Sequence, residues 1–329
     1  MFQPSTFAGA LVMTIFSTVC WGSFANTMKL TRNYRFELYY WDYAVGIVVM
    51  ALLLAFTLGS LGGGPLSFAA NLRSAAPAAL ADAAIGGFIF NIANVLLLAG
   101  VEMVGLAVAF PIAIGIALVE GVVLSYAIQP RGSAPVLAAG VALAVVAVIL
   151  IGRAYGELSA GGTGRAPARR GVVVCVVSGL LMGAFAPFVT RALTAAHPLT
   201  PYSVAVVFTL AALACCFVFN LYLMRRPLVG APVSFAGYVA APARYHLLGL
   251  VGGLVWGLGT VFNFVAAGLV GVAISYAIGQ ASPMVAALWG VLVWKEFRGS
   301  SGRARGYLAG MFTAYVAALL LIAEAYRLR

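Results

Sequence analysis

Charge is scarce in this sequence. Only 8% of its 329 residues are Asp, Glu, Lys or Arg, and no more than 8 residues are acidic. A soluble globular chain carries roughly a quarter charged residues. With 64% of the residues hydrophobic, no single soluble core could hide the apolar surface. A soluble domain is excluded, and the chain reads as an integral membrane protein. Histidine and cysteine are also sparse, at two and four residues. Cys20, Cys175, Cys215 and Cys216 lie in apolar runs without zinc-type or CxxC spacing, so they read as small buried hydrophobes. His197 and His246 sit at loop edges, which leaves no His/Asp/Ser set or metal-ligand cluster within the apolar stretches. An enzyme is therefore not expected, nor a cofactor or metal. The net charge of +11 is assigned to short cytoplasmic loops and not to nucleic-acid binding. No basic residue precedes Lys29, so the N-terminus lacks the charged region of a secretory signal.

Apolar length is what the chain has in abundance. A spanning helix needs about 20 mostly apolar residues. Ten such stretches lie near 7–27, 39–59, 79–101, 104–127, 134–152, 171–191, 202–223, 247–267, 270–293 and 306–324. Their length and lack of alternation fit helices and not barrel strands. Fourteen Lys and Arg fall in the odd-numbered loops and five elsewhere. That asymmetry predicts cytoplasmic odd loops and both termini outside.

One unit occurs twice, from Gly86-Gly87 to Ser133 and from Gly252-Gly253 to Ser300. Each copy turns at a matching phrase, Val104-Gly105-Leu106-Ala107-Val108 or Val270-Gly271-Val272-Ala273-Ile274. Each then passes a proline, Pro111 or Pro283, and ends at Arg-Gly-Ser. Trp21-Gly22-Ser23-Phe24-Ala25 likewise aligns with Met182-Gly183-Ala184-Phe185-Ala186. Five helices per half is an odd number, so the expectation is an all-α protein of two inverted five-helix repeats, 1–152 and 171–329. A flexible basic cytoplasmic linker at 153–170 would join them.

Polar groups within such helices are costly and therefore informative. Glu120 lies in the fourth helix without a basic neighbour in sequence. A carboxylate there favours its protonated form and can take up and release a proton as access alternates; the bland reading is a hydrogen-bonded structural Glu. Trp21, Asn26, Asn91, Asn94, Trp256, Thr260, Asn263, Gln280 and Ser282 form a neutral amide, hydroxyl and indole set that recurs in both halves. Any of them can serve as a helix–helix hydrogen bond, but together they suit a neutral, polar substrate between the halves. Asp42 reads as a gate residue or an ion-pair partner of Lys29, Arg32 or Arg35, behind an interfacial belt of Tyr39, Tyr40 and Trp41. Lys295 and Glu296 read as an interfacial charge pair or a cytoplasmic gate. Glu102 is read as interfacial at a tight turn, and Asp82 as solvated.

Three phrases carry a family resemblance. They are Tyr39-Tyr40-Trp41-Asp42-Tyr43, Arg226-Pro227-Leu228-Val229-Gly230-Ala231-Pro232, and Trp289-Gly290-Val291-Leu292-Val293-Trp294-Lys295-Glu296-Phe297-Arg298. With the ten-helix repeat and the Trp-Gly-Ser phrase of the first helix, the chain resembles the drug/metabolite transporter superfamily. More narrowly, it resembles the ureide permease family and its bacterial glucose/ribose-porter and rhamnose-symporter relatives. The resemblance implies a secondary active transporter, commonly proton-coupled. Plant members import allantoin and related oxo-purines and pyrimidines, and the bacterial relatives are linked to sugar uptake. A multi-pass protein of the bacterial inner membrane is therefore expected. Its partners would be a small-molecule substrate, a proton and the lipid bilayer, with a homo-oligomer left open. Import of an uncharged sugar or ureide/nucleobase is the first reading, and proton-antiport export of drugs or metabolites is the alternative. The short central linker lacks the long loop with a nucleotide-binding-like motif that plant members carry.

Overall fold

The computed structural model describes residues 1–31, 34–159 and 169–328. It contains ten helices long and apolar enough to span a membrane. These are α1 (Phe7–Lys29), α2 (Phe36–Ser60), α3 (Pro77–Val104), α4 (Val108–Ile128), α5 (Ala134–Leu158), α6 (Arg169–Thr194), α7 (Pro201–Arg225), α8 (Ala243–Val270), α9 (Val272–Leu292) and α10 (Gly302–Arg327). Every stretch expected from the sequence corresponds to one of them. The end of α5 differs, because helix continues to Ser159 where a linker was expected from residue 153. The middle of that linker, 160–168, lies outside the described residues.

Local chemistry sets the helix ends. Thr6 caps α1 and Ser301 caps α10, their hydroxyls accepting from Gly9 N and Ala304 N. Pro77 and Pro201 stand in first-turn positions, where a missing N–H costs nothing. α3 and α8 are both 28 residues long and both end on a glycine with positive φ, Gly105 at 76° and Gly271 at 86°. L side chains rarely adopt that conformation, and it lets the next helix start at once. Two helices are interrupted at central positions. α9 breaks at Gln280–Ala281, ahead of Pro283, whose ring cannot follow a continuous helix. Carbonyls near the break find partners in neighbouring helices: Ile278 O accepts from Thr18 Oγ1 at 3.0 Å and Gln280 O from Tyr315 OH at 3.5 Å. α7 widens to a π-turn over Cys216–Asn220.

Both termini lie at one end of the bundle. The N-terminal ammonium donates to Leu61 O, and Phe7 stacks on Tyr326 at 4.8 Å. The odd loops gather at the opposite end, where Arg35 donates to Ala231 O and Lys29 pairs with Glu296. In the interior α3 packs on α6 and α7, and α8 on α1 and α2. Exchanging the two halves would interchange these pairings. α8 and α9 are the most enclosed spans, with 67% and 72% of their apolar windows buried against 33% in α10. The second copy of the repeated unit therefore runs through the centre.

The glycine pairs of the repeat permit its closest crossings. A Cβ on Gly253 would lie 2.9 Å from both Gly46 Cα and Ile47 N, and one on Gly87 would lie 2.9 Å from Phe208 Cα. These neighbours are backbone atoms and cannot rotate away. Gly253→Ala is expected to destabilise by about 1–3 kcal/mol, the usual cost of overpacking. Gly115→Ala, whose Cβ would meet nothing within 4 Å, serves as the control. Thermal unfolding in detergent should show a lower Tm for the first and no loss for the second; equal behaviour would refute the packing argument.

Candidate functional site

A cavity of about 480 Å³ opens at the odd-loop end and reaches the middle of the bundle. α1, α3, α4, α6, α8 and α9 wall it, with Phe208 of α7 contributing at depth. Its floor is aromatic. Phe90 stacks on Trp256 at 4.6 Å, Trp21 lies against Trp256 at 6.0 Å, and Phe185 and Phe208 meet Phe90 at 5.6 and 5.3 Å. Phe264 closes against Phe208 at 5.6 Å. Few polar side chains interrupt this surface, and those at depth are neutral.

Six of the nine sequence-predicted substrate residues line the cavity: Trp21, Asn94, Trp256, Thr260, Gln280 and Ser282. The helices bring them together from residue numbers more than 250 apart. Trp21 Nε1 donates to Thr260 Oγ1 at 3.1 Å, and Thr260 donates to Trp256 O. Asn94 donates to Tyr40 OH at 3.0 Å. The other three lie outside the lining. Asn26 faces a smaller side cavity of about 130 Å³ and accepts from Trp294 Nε1 at 2.6 Å. Asn91 meets Cys216 Sγ behind α3, and Asn263 donates to Ser275 O beneath the α8–α9 turn. Spacing along one helix face cannot separate such positions, because a buried face meets a cavity at one level and a neighbouring helix at the next.

Glu120 also stands outside the cavity lining. It lies where α4 meets α6, so close that a Cβ on Gly183 would be 2.7 Å from its Cβ and 2.9 Å from Oε2. Oε2 is buried with no hydrogen-bond partner among the described residues. Glu102, read from sequence as merely interfacial, lines the cavity rim together with Lys29 and Tyr34.

The charged candidates sort differently from expectation. Asp42 does not pair with Lys29 or Arg35, while Arg32 lies outside the described residues. Asp42 accepts from Tyr238 OH at 2.6 Å and meets His246 Nδ1 at 2.9 Å. Glu296 does not pair with its neighbour Lys295 but with Lys29, which also lies 4.6 Å over the Trp294 ring. Lys295 is exposed and carries a φ of 54°. It turns the chain at the end of α9. Asp82 is not simply solvated, since Arg191 donates to it at 2.6 Å. The expected aromatic belt is also corrected: Tyr39, Tyr40 and Trp41 are 1%, 1% and 6% exposed, within the bundle. Their polar atoms find partners there: Tyr39 OH meets Thr27 Oγ1 at 2.6 Å, Tyr40 OH accepts from Asn94, and Trp41 Nε1 donates to Met224 Sδ at 3.2 Å.

The three diagnostic phrases are thus struts around the cavity mouth. Arg35, a residue outside all three, holds the second one. Its guanidinium binds the fully buried Glu37 through two hydrogen bonds and donates to Val229 O at 2.8 Å and Ala231 O at 2.9 Å. Gly230, with φ 74°, lies against Arg35 Nη1 where a Cβ would collide. Glu37 and its pairing with Arg35 were missed from sequence, where Arg35 reads as a candidate partner of Asp42, because an Arg and a Glu two apart at a helix start look like an ordinary exposed pair. The third phrase ties α9 to α1 through Trp289 Nε1 to Ser23 Oγ, Trp294 to Asn26 and Glu296 to Lys29. Burial separates the two ion pairs in energy. Breaking a buried pair costs about 3–5 kcal/mol, whereas a half-exposed one such as Lys29–Glu296 (side chains 45% and 27% exposed) is worth about 0–1 kcal/mol. Arg35→Ala should therefore lower the detergent Tm markedly and Lys29→Met hardly at all; the reverse order would remove Arg35 as the main tie.

A bundle of ten spans around a central cavity open at one end has the architecture of a membrane carrier, and no group of three or more His, Cys, Asp or Glu among the described residues is placed to hold a metal. The family model of the ureide permeases matches residues 168–324, nearly the whole second half. Two curated relatives match along almost their full length. Ureide permease 1 of Arabidopsis thaliana is 23% identical over 98% of both chains, and ureide permease 4 of the same plant is 21% identical over the same shares. A crystal structure of another protein superposes with a TM-score of 0.65 at 18% identity, over 98% of this chain and 99% of that one, which speaks to the fold. The chain is a multi-pass membrane transporter and not an enzyme. It is similar to the ureide permeases along nearly its whole length, the resemblance that the three phrases carry.

Proposed function

We propose that this protein imports a small uncharged polar solute, a sugar or a ureide or nucleobase, by proton-coupled alternating access. The cavity carries this reading. Neutral hydrogen-bonding groups and indole faces sit at mid-depth, and charged groups are kept to the rim. A charged solute at the floor would meet no counter-charge among the lining residues there, and would be costly to desolvate. Trp21 and Trp256 offer flat surfaces to a planar ring or to the apolar face of a sugar, while Thr260, Asn94, Gln280 and Ser282 offer hydrogen bonds.

In this reading the two halves are inverted repeats, the odd loops are cytoplasmic and both termini lie outside the bacterial inner membrane. The basic residues of the odd loops support that orientation. The present conformation is then inward-open, and the aromatic floor is the closed outer barrier. Glu120 takes the proton: it is an acidic group in the middle of α4 with a buried, unpartnered oxygen, and no ion pair reaches it among the described residues. Glu102 on the rim favours the second reading, proton-driven export of a cationic solute, because it is a carboxylate accessible from the cavity.

A thermal-shift screen of glucose, ribose, rhamnose, allantoin and uracil separates the substrate classes, since only a binder stabilises the folded state. A cationic dye in the same screen tests the export reading. In proteoliposomes, Glu120→Gln should abolish accumulation driven by a pH gradient while leaving solute exchange intact. Accumulation at the wild-type rate would remove Glu120 from the coupling mechanism.

A further inference from the structure

Glu120 does not line the cavity, so a proton there needs a way to affect the solute. We propose that Tyr276 is the positioning residue that carries the protonation state of Glu120 to the cavity floor; this rests on the reading of Glu120 as the proton site.

The geometry brings three features to one side chain. Tyr276 is buried on the last turn of the first half of α9, wedged between α4 and α6. On the α4 side its ring packs on Gly121, the residue after Glu120; a Cβ on Gly121 would stand 2.5 Å from Tyr276 Cε1. On the α6 side its hydroxyl donates to Met182 O at 3.0 Å. Met182 lines the cavity and precedes Gly183, the glycine against which the Glu120 carboxylate rests. Along its own helix, Tyr276 O accepts from Gln280 N at 2.9 Å, at the point where α9 breaks and Gln280 and Ser282 enter the cavity wall. Phe185, in the aromatic floor, meets the Tyr276 ring edge-on at 5.7 Å.

A protonated Glu120 carries no charge, so its unpartnered Oε2 costs only the desolvation of a neutral group. Once its proton has left for water, the carboxylate needs a hydrogen-bond donor in an apolar seam, where an unpaired charge is expensive. From α6 the carboxylate faces Gly183, which has no side chain. From α9 the seam presents Tyr276. The ionisable groups of α5 lie at the far, odd-loop end, where Tyr155 meets Glu296 and Glu157 meets Ser301. The Tyr276 hydroxyl therefore turns from Met182 O to the carboxylate, keeping its own proton throughout. That turn frees a carbonyl on the cavity wall and shifts the end of the first half of α9, where Gln280 sits. Proton and solute then favour different states of one element, which is what coupling between two sites requires. The break at Gln280–Ala281 supplies the hinge.

The test needs no known substrate. Trp21 and Trp256 sit at the cavity floor, so tryptophan fluorescence of the full chain in detergent, followed through a pH titration, reports the floor's response. The wild type should show a transition. Glu120→Gln should abolish it, and Tyr276→Phe, which keeps the ring and removes the hydroxyl, should reduce its amplitude about fivefold or more, the lower range of allosteric coupling factors. Gly121→Ala, which pushes the ring away while keeping the hydroxyl, should do the same and stands in if Tyr276→Phe does not purify as a folded protein. A transition lost in Glu120→Gln but intact in both Tyr276→Phe and Gly121→Ala overturns the role of Tyr276 and spares that of Glu120. A transition that survives Glu120→Gln, or a wild type that shows none, overturns both.

Discussion

A polar group that this chain carries into its apolar interior must find a partner within the protein, because lipid offers none. That constraint orders the whole structure. It explains why Tyr39 is tied to Thr27, Asn94 to Tyr40 and Trp21 to Thr260 across helices, and why carbonyls beside the α9 break are met by Thr18 and Tyr315. It also explains why the ionic groups are confined. Arg35 and Glu37 satisfy each other and two loop carbonyls together. Eight buried side-chain atoms among the described residues depart from the rule, and Glu120 Oε2 is the one carboxylate oxygen among them.

The same constraint shapes the cavity. Trp21, Thr260 and Asn94 each make a hydrogen bond within the protein and still border the central space. The remaining surface is aromatic, which gives contact area with little conformational freedom to lose on binding. Rigid struts surround the mouth, formed by the Arg35 clasp on the Val229–Ala231 carbonyls and the Trp289, Trp294 and Glu296 ties to α1. The interrupted helices α7 and α9 are the exceptions to regular packing. α9 places its interruption at the cavity wall, where Gln280 and Ser282 are exposed to the space.

Much of this was legible from residues alone. A spanning helix needs only length and apolarity, which are local, so ten of them could be counted from composition. The duplicated unit predicted matching turns, and Gly105 and Gly271 share one backbone conformation. Asn26, Asn91 and Asn263 went elsewhere because a polar residue on a buried face can satisfy a cavity or a neighbour, and only the neighbour's position decides which. Glu296 was expected beside Lys295, yet the turn at Lys295 sends the two side chains apart and Lys29 arrives from a helix 267 residues away.

The sequence by itself determined ten membrane spans and a likeness to the ureide permeases, because hydrophobic length and the three phrases are properties of contiguous residues. Tertiary structure alone decided which polar groups share a cavity, that Glu102 stands at its rim, and that Glu120 lies behind the floor against Gly183 with Tyr276 nearby. Those are relations between helices distant in the chain. Their rotation and depth follow from packing contacts such as the backbone approach at Gly46 and Gly253, where one missing Cβ sets how closely two helices meet.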